Sequence, residues 1–291
     1  AQVTTETILI ESEAQWLAER AKDVTSTQVS ALFGCNPYLT EFELWHHKRN
    51  GTMDAIEETS RTRWGNRLEE AIAKGFAEEM GLQELHRLGV YLRKFGQRVG
   101  ASFDFTALKG GERILIECKN VDFMEHRDKW TETEAPAHIE LQVQTQLLVS
   151  GYSRAFIVAL VGGNNLVVHE RTPDAEVQAK IIEKVAAFWS SVDAGIEPTP
   201  DFVRDAETVL AMNNRSDGYE LEADAETAAL LQQWLAAKAA ADTVKPLQAQ
   251  LALRIGAASK VRTPMGVLSC ATNKAGARPF RYYPNKEASN V

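Results

Sequence analysis

Cysteine is scarce in this sequence. Three residues, Cys35, Cys118 and Cys270, lie far apart in 291. That excludes a disulfide framework and a cysteine zinc site, and it makes a reducing cytoplasm the expected location. No apolar run approaches the ~18 residues of a membrane helix, so no membrane partner is expected. The opening AQVTTETILIE has no basic flank ahead of its short apolar patch, so no secretory signal is expected. Internal repeats and low-complexity tracts are also absent, which excludes solenoids and fibrous arrays. Histidines give no metal spacing: His46 and His47 are adjacent, and His126 and His138 lack partners at ligand intervals.

What is present reads as an ordinary folded chain, 44% apolar and 25% charged. The length suits one large domain, or one domain with an appended lobe. Lys and Arg number 32 against 40 Asp and Glu, a net charge of −8. That balance argues against a passive nucleic-acid coat. The charge is unevenly spread: −3 over residues 1–120, −3 over 121–173, −9 over 174–230 and +7 over 231–291. Such a reversal suggests a division of labour, although a solvated acidic face beside a soluble tail gives the same count.

Periodicity predicts helices at 11–22, with Ser12 as N-cap, and from Thr25–Thr27 to Gly34. Another short helix holds Phe42 and Trp45. A long helix spans 62–80, where Trp64, Leu68, Ile72, Phe76 and Met80 recur every four residues. Strand patterns follow at 88–95, 99–108 and 113–121, then a helix near 137–150. A Gly162-Gly163-Asn164-Asn165 turn joins strands at 155–161 and 166–170. A helix covers 174–193, and 201–222 reads as loop. Helices at 224–240 and from Pro246, then a hairpin after Thr263-Pro264-Met265-Gly266, complete the pattern. The tryptophans Trp16, Trp45, Trp64, Trp189 and Trp234 are expected on packed faces. The fold class is α/β, with a core at 1–200 and a helical and hairpin appendage with a basic tail at 201–291.

The chemistry concentrates in the hairpin. With residues 109–112 as its loop, paired positions sum to 221, so Asp104 lies opposite Glu117 with Cβ atoms ~4.5–5.5 Å apart. Glu117 and Lys119 share that face. Two apposed carboxylates repel unless a cation lies between them, and an oxygen-only set suits Mg²⁺ or Mn²⁺. An exposed Asp–Lys–Glu ladder would give the same string, but the apolar flanks Ser-Phe-Asp-Phe-Thr and Leu-Ile-Glu-Cys-Lys favour a cleft. Lys94 and Arg98, just upstream, are candidates for DNA-backbone contact.

Asp104 followed by Glu117-Cys118-Lys119 resembles the D…(D/E)xK motif of the PD-(D/E)XK, restriction-endonuclease-like nucleases. More of the chain resembles one branch, the lambda-exonuclease or YqaJ-like viral recombinase family. Gly65–Glu69 resembles its G-x-x-x-E helix, and Gln142-Val143-Gln144 its Q-x-Q helix. Arg20, Thr27, Leu32-Phe33-Gly34 and Pro37-Tyr38 resemble its N-terminal segment, and Leu160–Gly163 with Phe188-Trp189, Gly195 and Pro198 fits its end. The likeness covers roughly residues 12–201.

The resemblance implies a restriction-endonuclease-like core, a central mixed sheet flanked by helices. It implies a Mg²⁺-dependent 5′→3′ exonuclease on double-stranded DNA ends, leaving 3′ overhangs for strand annealing. It also implies a trimeric ring and a phage single-strand annealing protein as partner. By motif match, Asp104, Glu117 and the Cys118 carbonyl would hold the metal, and Lys119 would be the catalytic lysine. Glu69, Gln142 and Gln144 would line the site. Arg20 and Thr27 would bind the 5′-phosphate. The alternatives are a RecB-like or endonucleolytic enzyme on the same fold, and a non-catalytic DNA-end clamp that recruits the annealing protein.

Overall fold

The computed structural model describes residues 5–51, 59–215, 218, 220, 222–255, 257–264, 266–277 and 279–284. Met265, expected in the last turn, lies outside these residues. In chain order the elements are β1 (Thr5–Leu9), α1 (Glu13–Ala21), β2 (Val24–Thr25), a 3₁₀ turn at Val29–Phe33, α2 (Glu41–Asn50) and α3 (Ser60–Met80). Then come β3 (Gln83–Arg87), β4 (Val90–Lys94), β5 (Val99–Ser102), β6 (Phe105–Lys109), β7 (Glu112–Val121), α4 (Phe123–Lys129) and α5 (Ala137–Ser150). The remainder is β8 (Ala155–Val161), β9 (Asn165–Arg171), α6 (Ala175–Ala194), α7 (Ala206–Met212), α8 (Ala225–Ile255), β10 (Lys260–Thr263), β11 (Gly266–Ser269) and β12 (Arg281–Pro284).

Five strands in the order β3-β6-β7-β8-β9 form a mixed sheet, parallel only between β7 and β8. The β6–β7 register pairs Phe105 with Ile116 and Lys109 with Glu112, as the sum rule requires. The run 99–108 is not one strand, however. It breaks at Phe103-Asp104, and β5 joins a second sheet, β1-β4-β5-β2. The break puts Asp104 between the two sheets.

The core sheet is covered on both faces. Ile72, Ala73 and Phe76 of α3 pack on Phe105, Ile114, Ile116, Cys118, Phe156 and Val158. Helices α5 and α6 cover the opposite face, where Leu115, Val121, Ile157 and Val161 meet Val143, Leu147, Ile181 and Phe188. Thr59 caps α3, and Gly81 ends it at φ +62°. Trp64 and Met80 stay exposed, because a strict four-residue step drifts about 40° per repeat on a helix of 3.6 residues per turn. Trp234 is likewise exposed, whereas Trp45 and Trp189 are buried.

The first compact unit runs to residue 215, past the boundary at 200 that composition suggests. The stretch read as loop contains α7. Asp205, fully buried before it, accepts a hydrogen bond from Thr40 at 2.5 Å, and Thr208 donates to Glu43 at 2.9 Å. The second unit, 216–291, holds α8 and the sheet β10-β11-β12. Helix α8 is continuous through Pro246 rather than split there. Proline removes one backbone donor, and Ala-, Leu- and Gln-rich turns on either side carry the helix across it.

Gly100 on β5 accommodates Tyr91. A Cβ there would fall within the Tyr91 ring and hydroxyl, and Tyr91 is fully buried with its hydroxyl bonded to Asp23 at 3.0 Å. Gly100→Ala should therefore destabilise the fold by about 3 kcal/mol or more. Gly75→Ala, where the added carbon enters open space within α3, should stabilise it by about 0.5–1 kcal/mol. Urea denaturation of the two variants checks both signs.

Candidate active site

Alternation along β7 decides the site. Even-numbered residues enter the α3 side of the sheet and odd-numbered ones the α5 side, so Glu117 lies beneath α5 and only 4% exposed. A carboxylate so buried needs donors. Lys119 Nζ and Gln142 Nε2 each donate to Oε1 at 2.6 Å, and Gln146 Nε2 donates to Oε2 at 2.7 Å. Lys119 also donates to Gln142 Oε1 at 3.2 Å.

Asp104 stands just ahead of β6, and its Oδ2 accepts the Cys118 N–H at 2.8 Å. In extended backbone a residue's N–H and C=O point to the same side, so the Cys118 carbonyl is directed toward Asp104 too. The Cys118 thiol packs on the α3 side, and burial pushes its pKa up. Burial first, and then the charge of Glu117, hold the Asp104 carboxyl well above the ordinary value. Burial opposes the charge on Lys119, but Glu117 and Asp104 outweigh it and keep the ammonium above its usual pKa.

Glu69, from α3, adds its charge to those raising Asp104. Its carboxylate is held by Arg87 at 3.0 Å, and the Arg87 guanidinium lies over the Phe105 ring. Among the described residues no three acidic, histidine or cysteine side chains converge as a ready metal cage. The Asp104–Glu117 pair does fit a hard divalent cation: both donors are carboxylate oxygens, and burial, with their repulsion added, raises the Asp104 pKa.

Gln144 does not join this group. It donates to the Thr172 carbonyl at 2.9 Å and accepts from the Asp174 N–H at 2.9 Å, bracing the start of α6. Residues two apart on a helix point to opposite sides, whereas residues four apart share a face. Gln146 is therefore the second glutamine of the site, and helical spacing from Gln142 was the signal that could have found it. Gln146 also donates to the Ser102 carbonyl at 3.1 Å.

Arg20 is buried, stacks on Trp16 at 4.2 Å and donates to Thr27 Oγ1 at 3.3 Å. Among the described residues its Nε has no hydrogen-bond partner. Burial lowers its pKa. Thr27 shares a cavity of about 300 Å³ with Asn36, Arg61, Lys119, His138 and Gln142. Trp16 donates to Ser102 Oγ at 2.9 Å, so Arg20 and Glu117 are linked through Trp16, Ser102 and Gln146. Lys94 and Arg98 have other tasks: Lys94 donates to the Leu148 carbonyl, and Arg98 pairs with Asp193 and lies over Trp189.

A mixed sheet with α3 and α5 on its faces and a D…ExK set on adjoining segments defines a restriction-endonuclease-like core. Residues 15–153 match the YqaJ-like viral recombinase domain. The uncharacterized protein YqaJ of Bacillus subtilis (strain 168) is 29% identical over 202 residues, which cover 68% of this chain. The alignment spans 62% of that relative's length. The alkaline exonuclease LHK-Exo of Laribacter hongkongensis is 22% identical with a TM-score of 0.51, over 67% of this chain and 99% of its own. LHK-Exo in complex with dAMP gives 21% and 0.52 over the same shares. At these identities the likeness is one of fold. Among the described residues no helix is long and apolar enough to cross a membrane.

A raised carboxyl pKa means stability that is present below the unfolded value, 3.8, and lost as pH rises through the folded one. In chelating buffer at neutral pH, Asp104→Asn should therefore melt higher than the parent. The gap should close below about pH 4, where both side chains are neutral. Thermal melts across pH check the sign.

Proposed function

We propose that the chain is a divalent-metal-dependent nuclease that degrades one strand of linear duplex DNA 5′→3′. Its product would be 3′ single-stranded overhangs for recombination by strand annealing. The observation that carries this reading is the buried Glu117 carboxylate, bonded by Lys119, Gln142 and Gln146, whose charge bears on the buried Asp104. A structural ion pair has no need of a second, repelling carboxylate. LHK-Exo, a fold relative solved with dAMP, is itself described as an alkaline exonuclease.

Asp104, Glu117 and the Cys118 carbonyl would hold Mg²⁺, with Mn²⁺ as a substitute. Bound there, the cation would acidify a water and act as a Lewis acid toward the phosphate. Gln142 and Gln146 fix the plane of the Glu117 carboxylate. Lys119, tethered at the cavity wall, meets negative charge developing on the phosphate. Glu69 lines the acidic side once its pair with Arg87 opens. Arg20 and Thr27 receive the terminal 5′-phosphate. No carboxylate among the described residues pairs with Arg20, and a guanidinium fork matches a phosphate in two bonds. A trimeric ring, an annealing protein as partner and a cytoplasmic location belong to the same reading.

End-labelled linear duplex incubated with Mg²⁺ tests this in one gel. The parent should shorten 5′-phosphorylated ends faster than 5′-hydroxyl ends and leave closed circles intact. Glu117→Ala, Asp104→Ala or Lys119→Ala should lower the rate by about 10²–10³ or more. Gln146→Ala should slow cleavage, whereas Gln144→Ala should affect melting temperature more than rate. Nicking of closed circles by the parent would favour an endonuclease. Undiminished activity of Glu117→Ala would falsify the site.

A further inference from the structure

The second unit carries a charge pattern that the metal site does not use. Residues 243–285 contain seven Lys and Arg and no Asp or Glu, in a chain whose net charge is −8. The three-stranded sheet orders part of this charge. Lys260 and Arg262 on β10 lie opposite Ser269 and Val267 on β11. Those in turn lie opposite Arg281 and Tyr283 on β12. Cross-strand partners, and residues two apart, share a face. One face therefore presents Lys260, Arg262, Arg281 and Tyr283 together, and all four are exposed, Tyr283 at 55%. Among the described residues none of the three cations takes part in an ion pair. Thr263 holds the β10–β11 turn by bonding both the N–H and the carbonyl of Gly266.

We propose that this face of the β10-β11-β12 sheet is a binding platform for single-stranded DNA. Strand spacing puts Arg281 about 9.6 Å across the sheet from β10, and Lys260 and Arg262 lie about 6.8 Å apart along it. The three cations and Tyr283 thus stand at the four corners of a flat patch only one chain wide, with Ser269 and Val267 between them. A ring on a flat face cannot reach bases stacked within a duplex. Unpaired bases can lie on it while neighbouring phosphates meet the cations, the arrangement that sequence-tolerant single-strand binders use. The platform residues all belong to the second unit, and Asp104, Glu117 and Lys119 to the first. That its polyanion is DNA rests on the nuclease reading, whose reaction generates single strands.

The test uses the full chain in EDTA, where no cleavage occurs, and a fluorescein-labelled oligo-dT followed by anisotropy across a salt series. The parent should bind, and bind oligo-dT more tightly than a duplex of equal length. The triple variant Lys260→Glu, Arg262→Glu, Arg281→Glu should weaken binding at least tenfold. It should also flatten the log–log salt slope by about 2, the share of three phosphate contacts on a single strand. Tyr283→Ala should cost about tenfold, and Tyr283→Phe, which keeps the ring, should bind like the parent. Unchanged binding by the triple variant overturns the proposal. So does tighter binding to duplex with no effect of Tyr283→Ala, which would make the face a backbone grip on duplex. Cleavage of a short duplex in Mg²⁺ is scored separately. A parent that binds oligo-dT through these residues but cuts nothing refutes the nuclease reading and leaves the platform standing.

Discussion

The placement of the Glu117 carboxylate constrains the rest of the α/β core. A charge taken out of water is costly unless its lone pairs are met. Here three donors meet them, and two come from α5. That requirement fixes the rotation of α5 about its axis. With Gln142 and Gln146 turned to β7, Val143 and Leu147 fall into the core beside Leu115 and Ile157. The apolar packing and the polar network thus select the same helix phase, and neither could shift without breaking the other.

The same cluster explains why part of the site was legible in the sequence. Strand alternation and a fixed loop length determine register without tertiary information, so Asp104, Glu117 and Lys119 could be brought together from spacing alone. Helix phase is different. Leu141–Gln146 holds three glutamines, and only the direction of the sheet decides which of them face it. The Q-x-Q resemblance puts Gln142 and Gln144 together, and residues two apart on a helix point to opposite sides. Burial misled in a related way at Trp64 and Met80, which carry the right residue types but sit where the four-residue repeat has rotated off the packed face. The break at Phe103-Asp104 was hidden because β-rich residues run through it. Only the partition into two sheets shows that the acidic residue occupies the junction.

The site is poorly arranged for stability. Asp104 resists ionisation because it is buried beside Glu117, and a hydrophobic pair in their place would relieve that repulsion. Lys119 offsets one carboxylate but is shared with Gln142. An arrangement that disfavours its own charges makes physical sense when a further cation completes it. Arg87 treats Glu69 differently, holding its carboxylate in a pair of its own outside the glutamine network.

Pairing also sorts the arginines. Arg93 is bonded to Glu6, Glu19 and Asp23, Arg171 to Glu140, and Arg98 to Asp193, so these guanidiniums hold the fold and contribute little net field. Arg20 is buried with no carboxylate partner among the described residues, although the acidic Glu19 precedes it directly and Asp23 lies three residues on. Both of those acids are bonded to Arg93. The acidic neighbours of Arg20 are thereby occupied, and its charge stays uncompensated beside the Thr27 hydroxyl. An acidic protein can bind a polyanion only where its cations are kept from its own carboxylates. The Arg93 network has that effect at Arg20, and the absence of Asp and Glu from residues 243–285 has it at the C-terminal sheet.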